Sequence, residues 1–190
     1  MSSIRTLLSI AARDSMILAQ FDVSTAFLYG SLNEEIYDGT SKVCKLKRSL
    51  YGLKQAPLCW NNCIKGFLLE TGFKQGEDAC IFSMKKGESR LLLALYVDDG
   101  IIDSTSQALI DVFLESLKKR FKIKAQNNKD SFYFLGLEIK KEEDCIKIHQ
   151  GAYTKKVLEK FCMQNSKAAA TPIVRLRIER RCWRRQFVSL

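Results

Sequence analysis

The chain has 190 residues, 46% hydrophobic and 27% charged, with a formal net charge of +10 at pH 7. That apolar content suits one packed domain of ordinary size and argues against wholesale disorder, and no apolar run reaches the 18 residues needed to span a membrane. The basic excess favours a polyanionic partner such as nucleic acid, although six arginines against one glutamate in residues 171–190 supply half of it.

The opening "MSSIRTLLSIAARDSM" is too interrupted by charge for a signal peptide. Its apolar residues Ile4, Leu7, Leu8, Ile10 and Ala11 share one helical face, which predicts a helix over 3–16. "ILAQFDV" (17–23) is strand-like, and "EEIY" (34–37) and "VCKLK" (43–47) are short candidate strands. A helix is predicted over 57–72, with Pro57 in its first turn and Gly72 at its end. Trp60, Ile64, Phe67 and Leu68 form its apolar face. "ACIFSMKK" (79–86) and "RLLLALYV" (90–97) read as strands joined by a Lys-Gly turn, and "GIIDS" (100–104) as another strand.

Residues 105–121 form an amphipathic pattern that Thr105 or Ser106 can cap, with Lys118, Lys119 and Arg120 complementing the C-terminal dipole. "SFYFLGLEIKK" (131–141) and "CIKIHQ" (145–150) read as strands around a charged turn, and residues 151–164 as a last helix. Helices packed on one face of a mostly antiparallel sheet give an α+β sandwich of the split βαβ kind. The stretch after Pro172 has no clean period and reads as a disordered or out-of-frame tail, with a nucleic-acid-binding arm as the alternative.

There are seven cysteines, no C-x-x-C pair, and one histidine, His149. This usage argues against a zinc site or a disulfide framework. It points to buried thiols in a reducing, intracellular compartment, cytoplasmic or nuclear.

The chemically suggestive stretch is "LLLALYVDDGII" (91–102), where two aspartates follow an apolar run. One reading is a hairpin turn, because Asp-Gly supplies the positive φ that a type I′ turn needs. The other brings in Asp22, which ends a second apolar strand. Two strands of one sheet would then carry Asp22, Asp98 and Asp99 to one edge. Clustered carboxylates repel one another unless a divalent cation sits among them. Hard oxygen ligands suit Mg²⁺, which shares its shell with substrate phosphates.

"YVDD" after an apolar strand resembles the metal-binding signature of reverse transcriptases. "QFDVSTAFLYGSLNEEIY", "VCKLKRSLYGLKQAPLCWN", "LYVDDGII", "YFLGLEI" and "HQGAYTKKVLEKFCM" resemble, in order, the blocks of the copia-type retrotransposon reverse transcriptase over residues 3–172. The resemblance implies an α+β palm with part of the fingers and the start of the thumb over 1–172, followed by the basic tail at 173–190. It implies an RNA-directed DNA polymerase that extends a primer on an RNA or DNA template with deoxynucleoside triphosphates. Asp22, Asp98 and Asp99 would hold two Mg²⁺ ions, or Mn²⁺ in their place. Phe27 would be the aromatic gate against a ribose 2′-hydroxyl, and Tyr51, Gly52 and Lys54 would line the nucleotide pocket. Tyr96 would contact the primer end, and Phe134, Leu135 and Gly136 would form the primer grip.

The packing alternatives are a core phenylalanine at 27, strand packing at 96 and a glycine bulge at 136. The family has a basic fingers segment before residue 3, a longer loop where "DGTSK" (38–42) stands, and a larger apolar residue at position 100. These departures imply a shortened copy of a Pol polyprotein that could associate with its other parts. The rival is a non-catalytic relic that binds nucleic acid by charge, and a metal-dependent nuclease could use similar acids.

Overall fold

The computed structural model describes residues 2–32, 45–127, 131–143 and 145–167. The predicted strand at 34–37, the loop at 38–42, the start of the 43–47 strand and the tail from 173 lie outside the described residues. Residues 1–150 form one compact unit and 151–190 a second, which carries helix α4 (Gly151–Lys160).

The first unit has two antiparallel sheets. After α1 (Ser2–Arg13) comes β1 (Ile17–Val23), then a 3₁₀ turn (Ala26–Tyr29) and α2 (Ala56–Glu70). β2 (Lys74–Gln75), β3 (Ile81–Lys86), β4 (Ser89–Tyr96) and β5 (Asp99–Ser104) follow. Next come α3 (Gln107–Arg120) and β6 (Ile123–Asn127). These six strands run in the order β2-β3-β4-β5-β1-β6. β7 (Ser131–Phe134), β8 (Leu137–Lys141) and β9 (Ile146–His149) make a separate three-stranded sheet.

The predicted strand at 131–141 is therefore two strands. Leu135 and Gly136 both have positive φ, +50° and +75°, so they form a two-residue hairpin turn in place of a bulge. β2 and β6 escape the periodicity, since β2 has two residues and β6, "IKAQN", shows little apolar alternation. Ser106 caps α3 in extended backbone without a side-chain hydrogen bond.

Strand alternation divides the large sheet into two cores. Ala19, Phe21, Val23, Leu91, Leu93, Leu95 and Ile102 face α2 and α3. Leu18, Ala94 and Ile101 face the other way, against α1 and the β7–β9 sheet. The expectation of helices on one face is thus corrected: α1 carries an apolar stripe of Ile4, Leu7, Leu8 and Ala11 and covers the opposite face. In the first core, Tyr29, Trp60 and Phe67 each meet Phe121 edge-on at 5.1–5.4 Å between centroids, the geometry that ring quadrupoles favour. The buried-thiol expectation fails among the described residues. Cys59 and Cys63 are half-buried, and Cys80, Cys145 and Cys162 are exposed.

Asp103 is anomalous. It lies one residue before the end of β5, opposite Leu18 on one side and Leu92 on the other, is 0% exposed, and neither carboxylate oxygen has a hydrogen-bond partner. Burial raises its pKa well above the usual carboxylate range, against the pull of Lys141. Above an unfolded value near 3.9, the unfolded chain releases this proton while the folded chain keeps it. Asp103 therefore favours folding at low pH, and that contribution is lost as pH rises through its folded value. Asp103→Val should raise unfolding free energy at pH 7 by about 1–3 kcal/mol. The gain should shrink toward pH 4, as read by denaturant titration at both pH values.

Candidate active site

The carboxylates collect at one end of the large sheet because of a tight hairpin. β4 and β5 pair from Leu91–Ser104 to Tyr96–Asp99, leaving only Val97 and Asp98 as the turn. The Asp-Gly turn expected from sequence is thus displaced by two residues, with Asp99 and Gly100 inside β5. Val97 takes φ +57°, a conformation that a β-branched side chain resists. Two bonds hold the turn there. Trp60 Nε1 donates to the Val97 carbonyl at 2.6 Å, and the Val23 amide donates to the Asp98 carbonyl at 2.7 Å.

On the next strand, Asp22 stands directly opposite Asp99. Directly opposed residues in an antiparallel pair share a sheet face. Tyr96 opposes Asp99 on its other side, and Lys124 on β6 opposes Asp22. The edge therefore carries the row Tyr96, Asp99, Asp22 and Lys124, with Asp98 beside it in the turn. Tyr96 and Lys124 are exposed, and the three aspartates are half-buried.

Burial raises the pKa of Asp99 most, a hydrogen bond from Gln20 Nε2 at 2.9 Å lowers it, and the neighbouring charges of Asp22 and Asp98 raise it further. Among the described residues, no three carboxylate, thiol or imidazole groups converge tightly enough to cage an ion as they stand.

The other predicted residues fall into two places. Five residues beyond Asp22, Phe27 lies in the 3₁₀ turn and meets Tyr51 edge-on at 4.8 Å. Ser49 Oγ donates to the Phe27 carbonyl and ties the two segments together. Gly52, at φ +93°, turns the chain after Tyr51, and exposed Lys54 leads into α2. Phe27 is half-buried against the first core, so part of its surface is packing. In the second place, Phe134 is buried and its ring belongs to the second core. Tyr96, Phe134 and Leu135 line one cavity of about 500 Å³, so the β7–β8 turn lies near the end of the aspartate hairpin.

Sequence reasoning missed three residues. Gln20 shares the sheet face of Asp22 by simple alternation. Trp60 was legible as core, but a buried indole N–H also needs an acceptor. Lys124 was hidden because β6 was not foreseen.

The fold and site define a mixed α/β domain of antiparallel sheets and four helices among the described residues, with an acidic edge. The family described as "Reverse transcriptase (RNA-dependent DNA polymerase)" matches residues 1–175. The chain belongs to that family, as its motifs suggested. It is 38% identical over 187 residues to the Retrovirus-related Pol polyprotein from transposon TNT 1-94 of Nicotiana tabacum, covering 91% of this chain and 14% of that protein. It is 34% identical over 183 residues to the corresponding polyprotein from transposon RE2 of Arabidopsis thaliana, covering 90% of this chain and 12% of that protein. A third relative, the truncated transposon Ty1-A Gag-Pol polyprotein of Saccharomyces cerevisiae, is 31% identical over 172 residues, or 83% of this chain and 14% of the relative. The chain thus spans about one-eighth of the length of these proteins. No helix among the described residues is long and apolar enough to cross a membrane.

Gly100 has a local cause. A Cβ built there would stand 2.4–3.0 Å from the ring of Phe21, its cross-strand partner. The phenylalanine fills the volume that a larger residue at 100 would occupy. Gly100→Val should destabilise by about 2–4 kcal/mol, and Phe21→Leu in the same chain should recover part of the loss. Chemical denaturation of both single variants and the double variant reads this coupling. Trp60→Phe keeps aromatic bulk but leaves the Val97 carbonyl without its donor. A loss of about 1–3 kcal/mol is expected in the same assay, with increased amide exchange at residues 96–99.

Proposed function

We propose that this domain serves as the palm of an RNA-directed DNA polymerase, transferring nucleotidyl groups from deoxynucleoside triphosphates to the 3′-hydroxyl of a primer. The observation that carries the reading is the antiparallel opposition of Asp22 and Asp99 beside Asp98, at one end of the large sheet. A basic chain of net charge +10 agrees with a nucleic-acid template.

The donor set fits hard divalent cations, Mg²⁺ or Mn²⁺, because all three groups are carboxylates and Asp99 is held in a state that added positive charge would relieve. Since the aspartates do not cage an ion by themselves, substrate phosphates and water would complete its coordination. Bound there, a pair of such ions would neutralise charge on the primer oxygen and the triphosphate.

The remaining work belongs to the chain. Asp22, Asp98 and Asp99 fix where positive charge accumulates. Phe27 crowds the sugar position and disfavours a 2′-hydroxyl. Tyr51, Gly52 and Lys54 flank the incoming nucleotide, with Lys54 supplying charge for phosphate and Gly52 admitting close backbone approach. Tyr96 and the Leu135–Gly136 turn flank the primer end. Such a palm contributes mainly position and electrostatics. Other portions of a Pol polyprotein are its natural partners.

Primer extension on an RNA template with Mg²⁺ tests the reading. Extension is expected, with Asp98→Asn reducing it at least about 100-fold and Phe27→Ala admitting ribonucleotides more readily. Folded chain that does not extend a primer, yet binds nucleic acid in a salt-sensitive way without needing the aspartates, would replace this reading with a binding relic. The raised pKa of Asp99 sets the pH response. This carboxyl keeps its proton to higher pH than an ordinary aspartate, so protons and Mg²⁺ compete there. The acid limb of the activity profile should therefore lie at higher pH than an unperturbed aspartate would give and move to lower pH as Mg²⁺ is raised.

A further inference from the structure

Gln20 joins the two sheets at the acidic edge. Its Nε2 donates to Asp99 Oδ1 at 2.9 Å and to the Tyr133 carbonyl at 2.7 Å. Both side-chain amide protons are therefore committed, one to the carboxylate of β5 and one to the backbone of β7. The side chain stands on the face of Asp22, two residues away, because the strand alternates. The partners are 79 and 113 residues away in sequence, so the link is tertiary. Tyr133 immediately precedes Phe134 and the left-handed Leu135–Gly136 turn. A glutamine satisfies this geometry with one nitrogen. A carboxylate could donate to neither partner, and an aliphatic residue would leave the half-buried Asp99 carboxylate with the Gly100 amide but without a side-chain donor.

We propose that Gln20 is a positioning residue that ties the Asp99 carboxylate to the β7–β8 hairpin, so that the carboxylate site and the Leu135–Gly136 turn keep a fixed relation. The functional weight of this strut rests on the polymerase reading, in which one end holds the reacting groups and the other flanks the primer. Its mechanical part does not. A change at Asp99 reaches the hairpin through Gln20, and a change at the hairpin reaches Asp99 by the same path.

The test is a double-mutant cycle in the full chain, read by amide hydrogen exchange of residues 131–141 without added metal. Gln20→Met should speed exchange in the hairpin about fivefold or more, with far-UV circular dichroism unchanged. Asp99→Ala alone should also alter hairpin exchange, and this effect should vanish when Gln20→Met is already present. Gln20→Glu keeps the shape, loses both donors and serves where the methionine variant does not fold; the same increase is expected. Additive effects, or hairpin exchange indifferent to Gln20, would overturn the strut.

Primer extension then separates this proposal from the wider reading. In an active chain, Gln20→Met should raise KM for primer–template more than it lowers kcat. A chain that never extends a primer defeats the polymerase reading, whereas the exchange cycle still decides the strut.

Discussion

The left-handed backbone of Val97 is the constraint on which the acidic edge depends. A β-branched residue avoids that conformation unless its surroundings hold it. Here the Trp60 indole and the Val23 amide each grip a turn carbonyl, one from helix α2 and one from strand β1. Trp60 is itself fixed by edge-on packing against Phe121, at the end of α3. The turn that presents Asp98 is therefore supported by both helices of the first core. A looser turn could slip register, and a slip of one residue would carry Asp99 to the opposite face.

The same economy explains why Gly100 follows the aspartates. Position 100 points into the core beneath the acidic edge, and Phe21 already fills that space from β1. Phe21 lies next to Asp22, and Gly100 lies next to Asp99. The two strands thus place half-buried carboxylates on one face and one shared aromatic volume on the other. Gly100 and Phe21 divide this volume within a single cross-strand pair, beside the opposed Asp22 and Asp99.

Most elements were legible because their apolar spacing is clean. β1 falls on the predicted 17–23, and α2 and α3 keep the predicted apolar faces. The expectation that Asp22, Asp98 and Asp99 lie at one edge came from strand ends alone; the register sets Asp22 opposite Asp99 with Asp98 in the adjoining turn, without a tight cluster among the described residues. Less legible were features fixed by tertiary contacts. The turn fell on Val97–Asp98 because two distant donors stabilise an unfavourable residue there, while local propensity favoured Asp-Gly. β6 has little alternation and is a strand because β1 offers it a free edge. The placement of α1 over the second face depends on a hairpin that the sequence presents as one continuous strand. Gln20 carries no local signal, since nothing in its neighbourhood shows that its amide spans two sheets.

The two buried-side carboxylates of β5 show what separates a site from a liability. Asp99 and Asp103 are four residues apart, so both point to the same face of the same strand. Asp103 is fully buried, stands opposite leucines on both neighbouring strands, and has no hydrogen-bond donor. Its charge is suppressed by burial, and it offers nothing to a solvent-borne cation. Asp99 is at the strand end, half-exposed, and receives one hydrogen bond from Gln20. Burial and the neighbouring acids raise its pKa, but the donor offsets part of that cost and solvent reaches the group. The apolar strand supplies the low-polarity wall that makes charge at its end strong. The end itself supplies access. Two aspartates can therefore stand beside the most water-averse segment of the chain and remain available for chemistry, whereas a third, four residues further along β5 and fully buried, cannot.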